Sequence, residues 1–169
     1  GHAVREEPYV DDEEKELVSS AQRLQLQAML FCERDEWKDS FNDISKYHVL
    51  KMPRILQALM YLLGVSREEI CEPNSNLFFW KKAKSVFMTR IPQLMSEYEV
   101  RGGKAAEFRS FNTLNFIDTL LVGCVQEEVE AYHPGFGRLF KWLTTAVATR
   151  KQDITRRKAM TKRAREDRE

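Results

Sequence analysis

The sequence predicts an all-α protein in which a small helical bundle caps, or is flanked by, a short antiparallel coiled coil formed by the N- and C-terminal helices. Three observations predict this fold. The 169 residues contain only seven glycines and five prolines. Almost no stretch alternates apolar and polar residues over the length of a strand, and apolar residues recur at helical spacing instead. Apolar residues make up 43% of the chain, which is enough for one buried core.

The first predicted helix runs from about Asp11 to beyond Cys32. Its apolar positions step by four, three, four and three residues, at Leu17, Ala21, Leu24, Ala28 and Phe31. This spacing is close to the repeat of about 3.5 residues that is typical of a coiled coil. An ordinary amphipathic helix fits the same short pattern, so both interpretations stay open.

The middle of the chain predicts a series of short helices. Residues 40–50 fit a short helix or a turn. Pro53 fits the first position of the next helix and Gly64 fits its C-terminal cap, with a thick leucine stripe between them that predicts a buried central helix. Ser66 and Glu69 have the spacing of a capping box for a brief turn.

The next two predicted helices follow one another closely. The segment NLFFWKKAKSVFMTR predicts a helix with Phe79, Val86 and Phe87 facing inward and its lysines facing outward. Pro92 is expected to open a separate helix, IPQLMSEYEV. The RGG at 101–103 is interpreted as a turn.

Three further helices complete the prediction. The first is bounded by Gly123, and the second is acidic, QEEVEA, and is broken near Pro134. The third starts at about Phe136 and continues toward the end of the chain, with Trp142 and Leu143 in the core and Lys141 in solvent. The closing segment TRKQDITRRKAMTKRAREDRE is expected to run outward from the bundle.

These elements divide the chain into four parts. Residues 1–10 are expected to form a flexible N-terminus, 11–36 a first stalk-like helix, 37–142 the bundle and 143–169 a returning basic helix. The net charge is only +1, but the chain starts acidic and ends basic. We therefore expect the terminal helices to pair antiparallel, with DDEEKE facing TKRAR.

No motif of an enzyme or a metal site is present. Phosphate-loop, GxGxxG, HExxH and GxSxG patterns are missing, and the three histidines are scattered. Cys32, Cys71 and Cys124 lie far apart without a CxxC pair, which predicts reduced, buried or half-buried thiols. We expect a non-enzymatic, cytoplasmic protein with no cofactor and no membrane contact, since no run reaches the ~20 apolar residues of a membrane span.

Four segments resemble, in order, the microtubule-binding domain at the tip of the dynein heavy-chain stalk. They are KMPRILQALMYLLG, WKKAKSVFM, IPQLM and HPGFGRLFKW, and the resemblance covers about residues 35–150. The family pattern has a proline-initiated helix ending in Leu-Leu-Gly, a basic Trp-Lys helix, an Ile-Pro helix, and a final helix with a Lys-Trp pair. Because the chain carries no motor module, the resemblance implies a non-motor protein of the cytoskeleton or of a cilium or flagellum.

The resemblance also implies a non-catalytic module that binds tubulin through a basic helix face. The basic residues assigned to this face are Lys46, Lys51, Lys81, Lys84 and Arg90. The surface of tubulin is acidic, so this contact would be steered by charge and would weaken with salt.

The acidic helix departs from the family pattern. Glu127, Glu128 and Glu130 stand where the family carries basic character, and they would repel an acidic lattice. The returning helix also lacks the proline that dyneins usually have. The alternative hypothesis is therefore a structural adaptor in a ciliary or cytoskeletal scaffold that has lost tubulin binding and recruits a basic partner through these glutamates.

Two further hypotheses concern the last helix. RKQDITRRKAMTKRAR could contact nucleic acid, but Asp153 and Glu166 interrupt the basic run and no aromatic residue is interleaved for base stacking. GRLFKWLTTAVATRKQ is a basic amphipathic segment of the kind that calmodulin binds, although its apolar residues fit a bundle core better.

Overall fold

The computed structural model describes residues 12–34, 39, 51–75, 77–100 and 111–168. These residues form seven helices and no strand, which confirms the all-α class. The helices are α1 (Asp12–Glu33), α2 (Met52–Leu62), α3 (Arg67–Ile70), α4 (Trp80–Glu97), α5 (Phe111–Leu121), α6 (Gln126–Tyr132) and α7 (Pro134–Glu166). The flexible N-terminus at 1–10, the short helix or turn at 40–50 and the RGG turn at 101–103 were predicted for segments that lie outside the described residues.

The first and last helices pack against each other along most of α1. At one end of the pair, the rings of Phe31 and Phe136 meet edge to face with centroids 5.3 Å apart. At the other end, Nη1 of Arg156 lies 3.6 Å from Oε2 of Glu14. Residue numbers increase along α1 in the direction in which they decrease along α7, so the pair is antiparallel, as predicted.

The charged end of this pair lies in a different register from the predicted one. The sequence suggested that DDEEKE faces TKRAR at 161–165, whereas Glu14 contacts Arg156. Met160, four residues beyond Arg156, is 44% exposed. Ala21 and Ala28 are fully buried, so small side chains hold the two helices close over the middle of α1.

Helix α2 forms the buried centre of the bundle, as its leucine stripe predicted. Pro53 lies in its first turn. After the cap residue Leu63 the chain turns at Gly64, whose φ of +94° lies in the left-handed region that favours glycine. The buried residues of this helix are Met52, Ile55, Leu56, Gln57, Ala58, Leu59, Met60 and Leu62.

Helix α4 is continuous where the sequence predicted two helices. It runs from Trp80 to Glu97 with Pro92 in its interior. A proline there removes one backbone donor and typically costs about 3 kcal/mol or more. Phe87, Ile91 and Met95 are all fully buried at intervals of four residues. We attribute the continuity to this buried stripe, which spans the proline, so the prediction of a separate Ile-Pro helix was wrong.

The last three helices agree with the predicted breaks. Helix α5 ends at Leu121 and is followed by Gly123, whose φ is +78°. The acidic helix α6 ends before His133, and α7 begins at Pro134, two residues before the predicted start at Phe136. His133 caps α7, because its Nδ1 accepts a hydrogen bond of 3.0 Å from the backbone N–H of Gly135.

The bundle lies beside the α1–α7 pair. Nε2 of Gln25 on α1 donates to the carbonyl oxygens of Met95 and Tyr98, at 2.7 and 2.9 Å, and so fixes the end of α4. The ammonium group of Lys151 on α7 binds the carboxylate of Asp118 on α5. The described helices therefore flank the pair, which is one of the two arrangements that the sequence predicted.

The first half of α7 belongs to the core. Trp142 and Leu143 are fully buried and Lys141 is exposed, as predicted. The ring of Tyr98 meets Trp142 edge to face at 5.3 Å. From Arg157 to Arg168, by contrast, every residue is exposed. One helix thus has a packed half and a solvated half.

A buried ion pair lies between these two halves. Nη1 of Arg150 lies 3.1 Å from Oδ2 of Asp153, and the two side chains are only 3% and 8% exposed. Arg156 and Arg157 also bind the Asp153 carboxylate. From sequence, Asp153 is only an interruption of the basic run, because burial of the Arg150–Asp153 pair depends on how the helices pack.

Replacing Asp153 with alanine is expected to lower the free energy of unfolding by about 3–5 kcal/mol. The change removes the carboxylate that balances the buried charge of Arg150, and breaking a buried pair on one side is strongly destabilising. Urea unfolding followed by circular dichroism measures the loss. Arg157→Ala is the matched control, because that side chain binds the same carboxylate but is 55% exposed, so about 1 kcal/mol or less is expected. Equal losses in the two variants would contradict the importance of burial here.

Candidate protein-binding surface at the start of helix α4

Lys51, the first described member of the predicted tubulin-binding set, pairs with a glutamate of the acidic set. Its Nζ lies 2.9 Å from Oε2 of Glu128, with side chains that are 41% and 61% exposed. Such a surface pair contributes only about 0–1 kcal/mol to stability. It does, however, cancel one charge from each predicted site. Lys46 lies outside the described residues.

Arg90 is also engaged within the bundle. Its guanidinium donates to the carboxylate of Glu69. That carboxylate accepts two further bonds, from the backbone N–H of Ser66 at 2.7 Å and from the Ser66 hydroxyl at 3.0 Å. The predicted link between Ser66 and Glu69 is therefore present. These bonds, with the backbone N–H of Ser66 contributing most, hold the pKa of Glu69 below its usual value.

The three glutamates of α6 are all exposed, and two of them make side-chain contacts within the protein. Glu128 binds Lys51, and Glu130 accepts a hydrogen bond of 2.8 Å from Nε2 of Gln126. The same Gln126 nitrogen donates to the carbonyl oxygen of Gly137 at the start of α7. Glu127 remains exposed. Binding of a basic partner at α6 stays a prediction, in which Glu128 would contribute less because Lys51 already compensates its charge.

Lys81 and Lys84 occupy the first two turns of α4, on the same side of the helix because they are three residues apart. Lys81 is exposed and Lys84 is half-buried. Between them in sequence, Nζ of Lys82 lies 5.9 Å from the centroid of the Phe79 ring, at a distance compatible with a cation–π contact. The structure thus gathers three lysines around one helix start.

Exposed apolar side chains accompany these lysines. Leu77 is 65% exposed, Phe79 37% and Met88 38%. Phe79 was predicted to face inward, and that prediction was wrong. We call the surface formed by Leu77, Phe79, Lys81, Lys82, Lys84 and Met88 the α4 patch.

A short extended segment explains the outward position of Phe79. The backbone N–H of Glu72 donates to the Leu77 carbonyl at 2.9 Å, and that of Phe79 donates to the Ile70 carbonyl at 2.8 Å. Cys71 and Phe78 thereby form an isolated antiparallel bridge. Side chains alternate along extended backbone, so Phe78 packs on the core while its two neighbours face solvent. A helical interpretation of the run LFFW could not predict this alternation.

The remaining chemistry of the described residues concerns metal ligands, free thiols and helices that could span a membrane. No group of three or more histidine, cysteine, aspartate or glutamate side chains in this part of the chain could hold a metal ion. Cys32 and Cys71 are buried free thiols and Cys124 is a half-buried one, as predicted. No described helix is both long enough and apolar enough to cross a membrane.

Glu69 is expected to make stability depend on pH in the acid range. Its pKa in the folded protein lies below the ordinary value of 4.5, so its bonds stabilise the fold above that pH, and the contribution is lost as the pH falls below 4.5 through the lowered pKa. Glu69→Gln should therefore be less stable than the wild type at neutral pH, by no more than about 1 kcal/mol because the carboxylate is partly exposed. The deficit should shrink in acid.

Urea unfolding at about pH 7 and about pH 3 measures this difference. Glu68→Gln is the matched control, because Glu68 is exposed on the same short helix. A deficit of Glu69→Gln that is the same at both pH values would contradict the assignment.

Comparisons with known protein families, with curated proteins and with solved structures found no match to this chain.

Proposed function

We propose that this domain is a non-catalytic module that binds an acidic protein surface through the α4 patch, and that the microtubule is its partner. The observation that carries the proposal is the grouping of Lys81, Lys82 and Lys84 with exposed apolar side chains at the start of α4. Charge would steer the encounter, and the apolar side chains would add contact area once the surfaces meet.

The position of these lysines supports a binding role over a stabilising one. A helix N-terminus carries a partial positive charge, so acidic side chains are favoured there and basic ones are disfavoured by roughly 0.3–1 kcal/mol each. The first turn of α4 contains no acidic residue. The lysines therefore add to the positive potential of the helix start, which raises its attraction for an acidic partner.

The patch also rests on a rigid base. Beneath it, Ala83 and Phe87 are fully buried. Farther along α4, Arg90 is bound to Glu69, and the carbonyl of Met95 is held by Gln25 of α1. Little backbone conformational entropy would be lost when such a surface binds, which favours affinity.

Tubulin is proposed as the partner because of the sequence resemblance to the dynein stalk tip together with this basic surface. Within the residues assigned to that face, Lys81 and Lys84 belong to the α4 patch. Lys51 and Arg90 contribute less, because Glu128 and Glu69 already compensate their charges. A location on the cytoskeleton, including a cilium or flagellum, follows from the same proposal.

Co-sedimentation with taxol-stabilised microtubules tests the proposal, at roughly 50 mM and 250 mM salt. The wild type is expected to pellet at low salt and to be released in part at high salt. K81E/K84E should weaken binding by about tenfold or more, since it reverses two charges in the patch. R138E/K141E is the matched control, because it reverses two exposed charges at the same three-residue spacing on α7.

Circular dichroism of each variant checks that the helices are intact. Failure of the wild type to pellet at low salt would overturn microtubule binding. An equal loss in both double variants would indicate general charge attraction rather than a site on α4.

A further inference from the structure

The outer half of α7 carries an ordered strip of basic residues. Past the buried pair at Arg150 and Asp153, the helix continues to Glu166, and all residues from 157 to 168 are exposed. Along one side of this segment lie Ile154, Arg157, Lys158, Thr161, Lys162 and Arg165, which we call the α7 strip. It contains four basic residues and no carboxylate.

The α7 strip continues the side of α7 that packs on the core of the bundle. Phe140, Leu143 and Val147 are buried on α7, and Ile154 packs against the edge of the same core. Successive intervals of three or four residues place Lys158, Thr161 and Arg165 on the same side of the helix. The last three intervals, from 154 to 158, 161 and 165, are four, three and four residues, a spacing that fits a second helix lying alongside.

The chemistry of a matching helix follows from the contacts that α7 makes elsewhere. Basic residues of α7 are met by carboxylates from two other helices, Arg156 by Glu14 of α1 and Lys151 by Asp118 of α5. Within the described part of the chain, Lys162 and Arg165 receive no carboxylate from another helix. Like charges three residues apart on a helix, as at 162 and 165, repel each other along the strip. An acidic helix would relieve that repulsion.

We propose that the α7 strip binds an acidic amphipathic helix of a partner protein, which lies alongside α7 and continues the helix packing of the bundle. Nucleic acid is the less favoured polyanion. Glu166 and Asp167 follow the strip directly, and the exposed part of α7 contains no aromatic side chain for base stacking. The proposal concerns a different surface from the α4 patch and does not depend on microtubule binding.

A fluorescein-labelled peptide with three repeats of Glu-Ala-Leu-Glu-Ala-Glu-Ala, blocked at both ends, is the probe. Fluorescence anisotropy with the full chain at roughly 50 mM salt measures binding, and the helical circular dichroism of the mixture should exceed the sum of the separate spectra. A peptide with lysine at each glutamate position should not bind. We expect Arg165→Glu to weaken binding of the acidic peptide by about fivefold or more.

Arg163→Glu is the matched control, with the same charge change two residues away on the opposite side of the helix. It should keep binding within about twofold. Both positions are exposed, so both variants should fold. Arg165→Glu should also leave microtubule co-sedimentation unchanged, which separates this proposal from the preceding one.

Three results would overturn the proposal. The first is an equal loss of peptide affinity in the two variants, which would mean that charge attracts the peptide without a specific side of the helix. The second is tighter binding of a 20-base-pair DNA duplex than of the peptide. The third is binding of the peptide only after residues 1–11 are removed, which would identify the acidic start of this chain as the occupant.

Discussion

The antiparallel contact between α1 and the first half of α7 determines where the remaining described helices lie. Fully buried alanines at 21 and 28 let the two helices approach closely, and the aromatic contact of Phe31 with Phe136 fixes one end of the pair. Gln25 then holds the end of α4 against α1, and Lys151 holds α5 against α7. The surfaces available for binding are those that this arrangement leaves uncovered.

The same contact divides α7 into two environments. Up to Asp153 the helix supplies core residues, and the charges at 150 and 153 compensate each other away from water. Beyond Arg156 the described side chains of α7 are all exposed, and most of them are basic or polar. We infer that the two halves have different roles, because a charged, solvated helix adds little to the stability of the bundle.

Local sequence patterns predicted much of the fold, because their causes are local. Pro53, Gly64 and the capping pair of Ser66 and Glu69 act within one or two turns, and the structure has the expected breaks there. The break at Pro92 was wrongly predicted because buried residues on both sides of it outweigh the missing hydrogen bond. Phe79 was misplaced because its orientation depends on a backbone contact with Ile70.

For the candidate site, the lysines of α4 could be identified from sequence, whereas the pairing of Lys51 with Glu128, 77 residues away, could not.

Amide hydrogen exchange along α7, measured by mass spectrometry on the free protein, distinguishes the half of the helix that packs on α1 from the solvated half. We expect slow exchange, at the rate of global unfolding, for the amides from about residue 139 to 153, and exchange faster by orders of magnitude from about 158 to 166. Uniform protection along the whole helix would contradict the division into a packed and a solvated half. Rapid exchange of the first half would contradict the packing of α1 on α7 itself.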